Sequence, residues 1–452
     1  MTPPPARRFR EPAEDVPSRE TAWVLAGRGL VRGRIEPLEV GVDTDGFIAE
    51  IGKDLRGTPR RDVGDALILP SATDLHVHFR DPGGPEEVET VESGTRQAAF
   101  AGVGLVCDMP NTQPPIADAD AIESKTARAR GRSAVDLLLY ASPLPAARIG
   151  RTARAAGAFK LYLSPTTGIE QAPEPSEVSA CLAAVARTGL ALTVHAEDPQ
   201  AFQTSFPATD TAGWDRCRPP SAELRGIDRV LSGPPSLRLH VAHVTNVEAA
   251  TRVRSAGHSF EVTANHLLLA ARDGGNARFK LNPPLRPEPE RARLWEAFRT
   301  GAVPIVASDH APHPRDVKDG PFERAPSGLP GVETTFPLLL AQVRAGRLEL
   351  ETLVRAACDR PARWMGQPRG RLLPGHRADL VVVDFRRRTK LTGASLHAPC
   401  GWTPFEGWEA IFPREHFLLG ERVVTDGEFV GRNEGRVVRP EYAPGIRTEP
   451  TE

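Results

Sequence analysis

Short apolar runs alternate with stretches of helical periodicity along most of the chain. Residues 66–73, 103–108, 134–140, 158–163, 190–195, 237–243, 260–263 and 303–309 are apolar runs of strand length. Between them, residues 86–101, 118–130, 144–156, 175–188, 221–231, 247–256 and 287–299 read as helices. Alternating units of this kind predict a parallel sheet covered by helices. Eight of them predict an α/β fold closed as a (β/α)8 TIM barrel, with its active site at the C-terminal strand ends.

The ends of the chain follow another pattern. Residues 1–20 are rich in Pro, Arg and Glu and are expected to form a loose tail. Residues 21–66 are strand-like, with Asp45-Gly46 placed for a hairpin turn. Two helices are expected over 333–347 and 350–364, after which 372–440 returns to strands with a second hairpin at Asp426-Gly427. The expected organisation is a barrel over 67–371 beside one small β-rich domain, a composite β-sandwich built from 21–66 and 372–440.

Composition narrows the classes. A net charge of −1 over 452 residues gives no general basic surface for nucleic acid or anionic membrane. No apolar run approaches the ~20 residues of a bilayer span, and the N-terminus lacks the apolar core of a signal peptide. Cys107, Cys181, Cys217, Cys358 and Cys400 are odd in number and form no CxxC pair. They suit the reduced thiols of a cytoplasmic protein.

The candidate chemistry falls at the predicted strand ends. In Asp74-Leu-His76-Val-His78-Phe-Arg80, alternation puts both imidazoles and the guanidinium on one face. Two histidines so spaced suit one divalent metal, and Arg80 suits a carboxylate. Lys160 sits in a strand expected to be buried, where an ammonium is costly. It either snorkels to the rim or, with its pKa lowered, captures CO2 as a carbamate that bridges two metals. His195 and His243, taken singly, fit core histidines as well as ligands. His240 is read as structural, on the face opposite His243. Asp309 either caps a loop or serves as a monodentate ligand that takes a proton from metal-bound water. Asn111 follows the second strand and completes the set.

Five motifs carry a resemblance: residues 74–83, Asp108-Met-Pro-Asn111-Thr, Val262-Thr-Ala-Asn265-His-Leu, Lys280-Leu-Asn282-Pro-Pro-Leu-Arg286 and Ser308-Asp309-His-Ala-Pro-His313. With them the chain resembles the cyclic amidohydrolases, and among these the dihydroorotases, from about residue 23 to 430. The resemblance implies two Zn2+ ions, one held by His76, His78 and Asp309 and the other by His195 and His243, bridged by N6-carboxylated Lys160. It implies that a bridging hydroxide attacks the ring amide while Asp309 shuttles the proton. Arg80, Asn111 and His313 match the positions that hold the substrate carboxylate, and Asn282 matches a further contact. The family's Thr-Pro-His-His-Leu appears here with Asn265, and its Ala-Pro-Phe-Gly as Ala325-Pro-Ser327-Gly328.

The expected reaction is the reversible cyclisation of N-carbamoyl-L-aspartate to L-dihydroorotate, a step of pyrimidine synthesis on a small-molecule substrate. An allantoinase or hydantoinase, whose substrates lack that carboxylate, is the second reading. A non-catalytic scaffold for aspartate transcarbamoylase is the third, disfavoured because no ligand is missing. A homodimer and a transcarbamoylase partner stay open. Residues 314–330, polar and too long for a simple connection, are expected to form a lid or pocket wall.

Overall fold

The computed structural model describes residues 19–441 apart from 32, 85–87, 170, 206 and 273; most of the expected tail lies outside them. Eight parallel strands form the barrel: Ala72–Val77, Val103–Asp108, Asp136–Ala141, Ala158–Tyr162, Ala191–His195, Arg238–Val241, Ser259–Thr263 and Ile305–Ala307. Each pairs with the next in sequence order. The ring closes where His78 N donates to His310 O at 2.7 Å, beside a bridge between Val77 and His310. Strand side chains pack inward as Leu75, Leu105, Leu138, Tyr140 and Ile305, and outward against the helices.

The apolar run 66–73, expected as one strand, is two. Arg60–Pro70 belongs to the small sheet, between Trp23–Val31 and Leu380–Val383. Ser71 is the pivot: its N–H donates to Asp379 O at 2.9 Å and its Oγ lies 2.8 Å from His416 Nε2. Ala72 then bonds Gly102 O and enters the barrel. Both halves are buried on both faces, so alternation gave no sign of the change of sheet. The small sheet has eight strands from both chain ends, with Ile48–Gly52 at one edge and Glu428–Phe429 at the other.

Two helices are shorter than their periodicity suggests. The one expected over 86–101 is Val91–Ala101. Thr90 caps it by accepting from Ser93 N at 3.1 Å, and the preceding Glu89 is drawn away to His310 Nε2 at 2.7 Å. In place of a helix over 144–156 the chain has a 3-10 turn and the single helical turn Ile149–Thr152. The chain end also does more than form sheet. Val437–Val438 runs parallel to Leu137 and Leu138 of the third barrel strand, and Val438 packs against the barrel's inner layer.

Arg369 locks barrel and sheet together. It is 2% exposed, donates to Gly104 O at 2.9 Å, and pairs with Asp136 of the barrel and with Asp379 of the small sheet. Removing a buried ion-pair partner leaves uncompensated charge and costs about 3–5 kcal/mol. Arg369→Ala is therefore expected to lower the urea midpoint by a corresponding amount. A midpoint within about 1 kcal/mol of wild type would show that this joint holds little.

Candidate metal-dependent active site

The barrel delivers its polar side chains to one mouth. His76 lies in the first strand, with His78 and Arg80 just past its end. Lys160 and Tyr162 end the fourth strand and His195 the fifth. His243 and Asp309 each lie two residues beyond theirs. Arg80, His243 and Asp309 have φ of +52°, +39° and +50°, half of the six non-glycine residues with positive φ among those described. Such backbone costs roughly 1–3 kcal/mol each and persists only where its surroundings impose it. Here it turns three side chains off the strand direction and into the mouth.

His76 Nδ1 lies 2.5 Å from Glu261 Oε1, and His78 Nδ1 lies 2.7 Å from Asn111 Oδ1. Each imidazole donates there, so each Nε2 carries a lone pair. Both face Asp309 Oδ1 at 3.3 Å. Burial, with Lys160 nearby, lowers the His76 pKa to about 4, so at neutral pH it brings no proton. Burial works against the Asp309 carboxylate, but the neighbouring imidazoles hold it below its usual range. The three ligand atoms lie close enough together to hold one metal ion.

A second nest adjoins the first. His195 Nε2 lies 2.8 Å from Glu197 Oε2, so Nδ1 carries the lone pair, and it faces His243 Nε2 at 3.0 Å. His243 Nδ1 is buried without a partner. Lys160, 1% exposed, reaches the first nest with Nζ 3.2 Å from His76 Nε2. Burial lowers its pKa to about 8, which leaves a usable fraction of neutral amine near pH 7. Glu261 and Glu197 orient the histidines as carboxylates behind metal-ligating imidazoles do.

The cavity beside the two nests is lined by His76, His78, Arg80, Asn111, Asn282 and Asp309 among others. His195, His243, Ser327 and Gly328 complete its wall. Of the residues expected to hold metal or substrate, Lys160 and His313 are not among those lining it. Arg80 donates to Pro312 O at 2.6 Å and meets no carboxylate among the described residues; its Nε is buried without a partner. His313 Nε2 lies 3.0 Å from Ser327 O and 3.4 Å from Arg80. Because a carbonyl only accepts, His313 donates to Ser327 and leaves that edge of the guanidinium open. Gly328 has φ +141°, and a Cβ there would lie 2.5 Å from Ala311 O, so the wall requires glycine.

Residues 314–330 form part of that wall through Ser327 and Gly328. Lys318 pins them, its Nζ donating to Lys280 O and Pro326 O at 3.0 Å each. His240 lies below the mouth, with Nε2 3.1 Å from Glu261 Oε2. Sequence reading missed Glu261, Glu197, Tyr162 and Trp214. A glutamate within the apolar strand Ser259–Thr263 was as visible a signal as Lys160, and Glu197 stands from His195 at the same spacing as the first histidine pair.

The Amidohydrolase family model matches residues 67–410, so the chain belongs to the amidohydrolase family. Within it the chain groups with the dihydroorotases. It is 37% identical to the dihydroorotase of Halobacterium salinarum over 427 residues, 92% of this chain and 99% of that one. It is 34% identical to that of Thermococcus kodakarensis over 392 residues, 85% and 90% of the two chains. Among solved structures it resembles the L-hydantoinase of Arthrobacter aurescens, with TM-score 0.85, 26% identity, and 93% and 100% coverage. A D-hydantoinase aligns with TM-score 0.83 at 23% identity, over 93% and 99% of the chains, which shows the shared fold alone. No helix among the described residues is long and apolar enough to cross a membrane, and no disulfide links the five buried cysteines.

The buried histidines give stability a definite dependence on pH. His76, His266 and His416 are held by burial at about 4, against 6.5 for a free imidazole. The unfolded chain takes up these protons as pH falls below 6.5 while the fold does not. Their contribution is complete above pH 6.5 and is lost toward pH 4. Asp74, raised by burial to about 6, opposes them, as do Glu223 and Glu333, which burial also raises; His195, His243, His258, His313 and His376, all lowered by burial, act with the first three. The urea midpoint of the metal-free protein is expected to fall between pH 7 and 5; a level midpoint would contradict this.

Proposed function

We infer that the chain catalyses the reversible cyclisation of N-carbamoyl-L-aspartate to L-dihydroorotate. The observation that carries this reading is Arg80, a guanidinium at the cavity wall with no carboxylate partner among the described residues. A half-buried cation is expensive unless an anion arrives to meet it, and dihydroorotate brings a carboxylate. A hydantoin ring without one would leave Arg80 unanswered. The complete donor set speaks against a purely structural scaffold, and curated relatives named dihydroorotase align along almost the whole chain.

The proposal includes two zinc ions, one at His76, His78 and Asp309 and one at His195 and His243, with Lys160 as a carbamate between them. Ions held there would polarise the scissile carbonyl and acidify the attacking water. Arg80 grips the substrate carboxylate, and Asn111, whose Oδ1 is occupied by His78 and one N–H by Thr167 O at 3.0 Å, has a second N–H to add. In ring opening, Asp309 takes the proton of the water and returns it to the ring nitrogen as the amide bond breaks. Cyclisation runs the same proton backwards. The walls at Ser327 and Gly328 limit the water that reaches the ring.

A charge-assisted contact is worth about 1.5–3 kcal/mol. Arg80→Ala is therefore expected to cut kcat/KM on dihydroorotate at least roughly tenfold. Arg80→Lys is expected to restore it only in part, since a point charge lacks the two-pronged contact. Hydrolysis of an unsubstituted dihydropyrimidine should scarcely change. Equal losses on both substrates would mean that Arg80 supports the fold of the site and does not read the carboxylate.

A further inference from the structure

Trp214 lies on the helix Thr211–Cys217, in the long connection after the fifth barrel strand, and is not one of the residues lining the cavity. Its indole Nε1 donates to Leu281 O at 3.0 Å and to Asn282 Oδ1 at 3.1 Å. An indole N–H can only donate, so it fixes which end of the Asn282 amide faces it. Ser327 Oγ donates to the same Oδ1 at 3.2 Å. Flipping the amide would set its NH2 against the indole N–H, which cannot accept, and lose that bond. Asn282 lines the cavity, and its Nδ2 has no acceptor among the described residues. The indole is itself held: Phe322 meets it edge-on at 6.4 Å and 69°, and Lys280 Nζ lies 4.6 Å from its ring.

We propose that Trp214 is a positioning residue that locks Asn282 with its NH2 toward the cavity, and that Asn282 thereby reads the ureide carbonyl of the substrate. This rests on the dihydroorotase reading. Dihydroorotate offers three acceptor groups: a carboxylate, the amide carbonyl that is cleaved, and the carbonyl between the two ring nitrogens. Arg80 and Asn111 take the first, and the second lies beside Asp309 and the histidines. The third remains for the donor on the Asn282 and Ser327 wall. That carbonyl is intact in ring, transition state and open chain alike. A contact made equally in all of them changes KM and leaves kcat alone.

The test is a double-mutant cycle on the zinc-loaded protein. Trp214→Phe, which removes the indole N–H, is expected to raise KM for dihydroorotate roughly tenfold with kcat within about twofold. Asn282→Ala is expected to do the same, and the double variant to be no worse than Asn282→Ala. Losses that multiply in the double variant, a fall in kcat at constant KM, or no change in Trp214→Phe would each overturn the proposal. Should Trp214→Phe not fold, Asn282→Asp decides, because it keeps the acceptor for Trp214 and removes the donor. A KM equal to wild type in that variant overturns the proposal, and a raised KM supports it. Failure of the wild type to turn over dihydroorotate would instead remove the functional reading, and this inference with it.

Discussion

The Nε2 atoms of His76 and His78 both lie 3.3 Å from one oxygen of Asp309 in a buried barrel mouth. Apart from Lys160, whose Nζ lies 3.2 Å from His76 Nε2, the contacts around these atoms hold them facing one another. Glu261 and Asn111 take the outer nitrogens of His76 and His78, so the inner ones cannot turn away. The positive φ of Asp309 sets its carboxylate opposite them. A cation bound among these atoms would add its binding free energy to the stability of the fold, so binding and folding are linked.

The support reaches well past the mouth. Glu261 holds His76 from one oxygen and His240 from the other, and His240 is placed 3.0 Å from Ser259 Oγ. Glu89, on the loop before the first barrel helix, holds His310, the neighbour of Asp309 that also closes the ring. The small sheet takes no part in lining the cavity. It buries Ser71 and His416 beneath the start of the first barrel strand, and through Asp379 it meets Arg369 at the barrel floor. The substrate side is built differently, from side chains with open donors. Arg80, Asn111 and Asn282 line the cavity and each has at least one N–H without an acceptor among the described residues, while other atoms of each are bonded to protein partners.

Much of this was legible in the sequence because it rests on local spacing. The eight strands followed from period and length, whereas the histidine pair expected from alternation along one strand spans its end, with His76 in the strand and His78 just past Val77. Lys160 stood out as a charge where none is affordable. What stayed hidden depended on distance. No local signal in 66–73 tells that the chain changes sheets at Ser71, since both halves are equally buried. The pairing of Glu261 with His76 spans 185 positions, and that of Trp214 with Asn282 spans 68. The parallel insertion of Val437–Val438 beside Leu137 needs the finished barrel to exist. Of the helix expected over 144–156, only a 3-10 turn and the single turn Ile149–Thr152 form; Gly150, near its middle, costs such a helix about 1 kcal/mol, which the alanine-rich periodicity does not show.

The central claim is that the mouth is two adjoining cation nests. The most direct measurement is a titration of the metal-free protein with zinc, following bound metal and dihydroorotate turnover together. The account predicts two ions per chain in the wild type, with full turnover only after the second. It also predicts a single bound ion and little turnover in His243→Ala. Full turnover at one ion per chain, or an unchanged stoichiometry in His243→Ala, would contradict it.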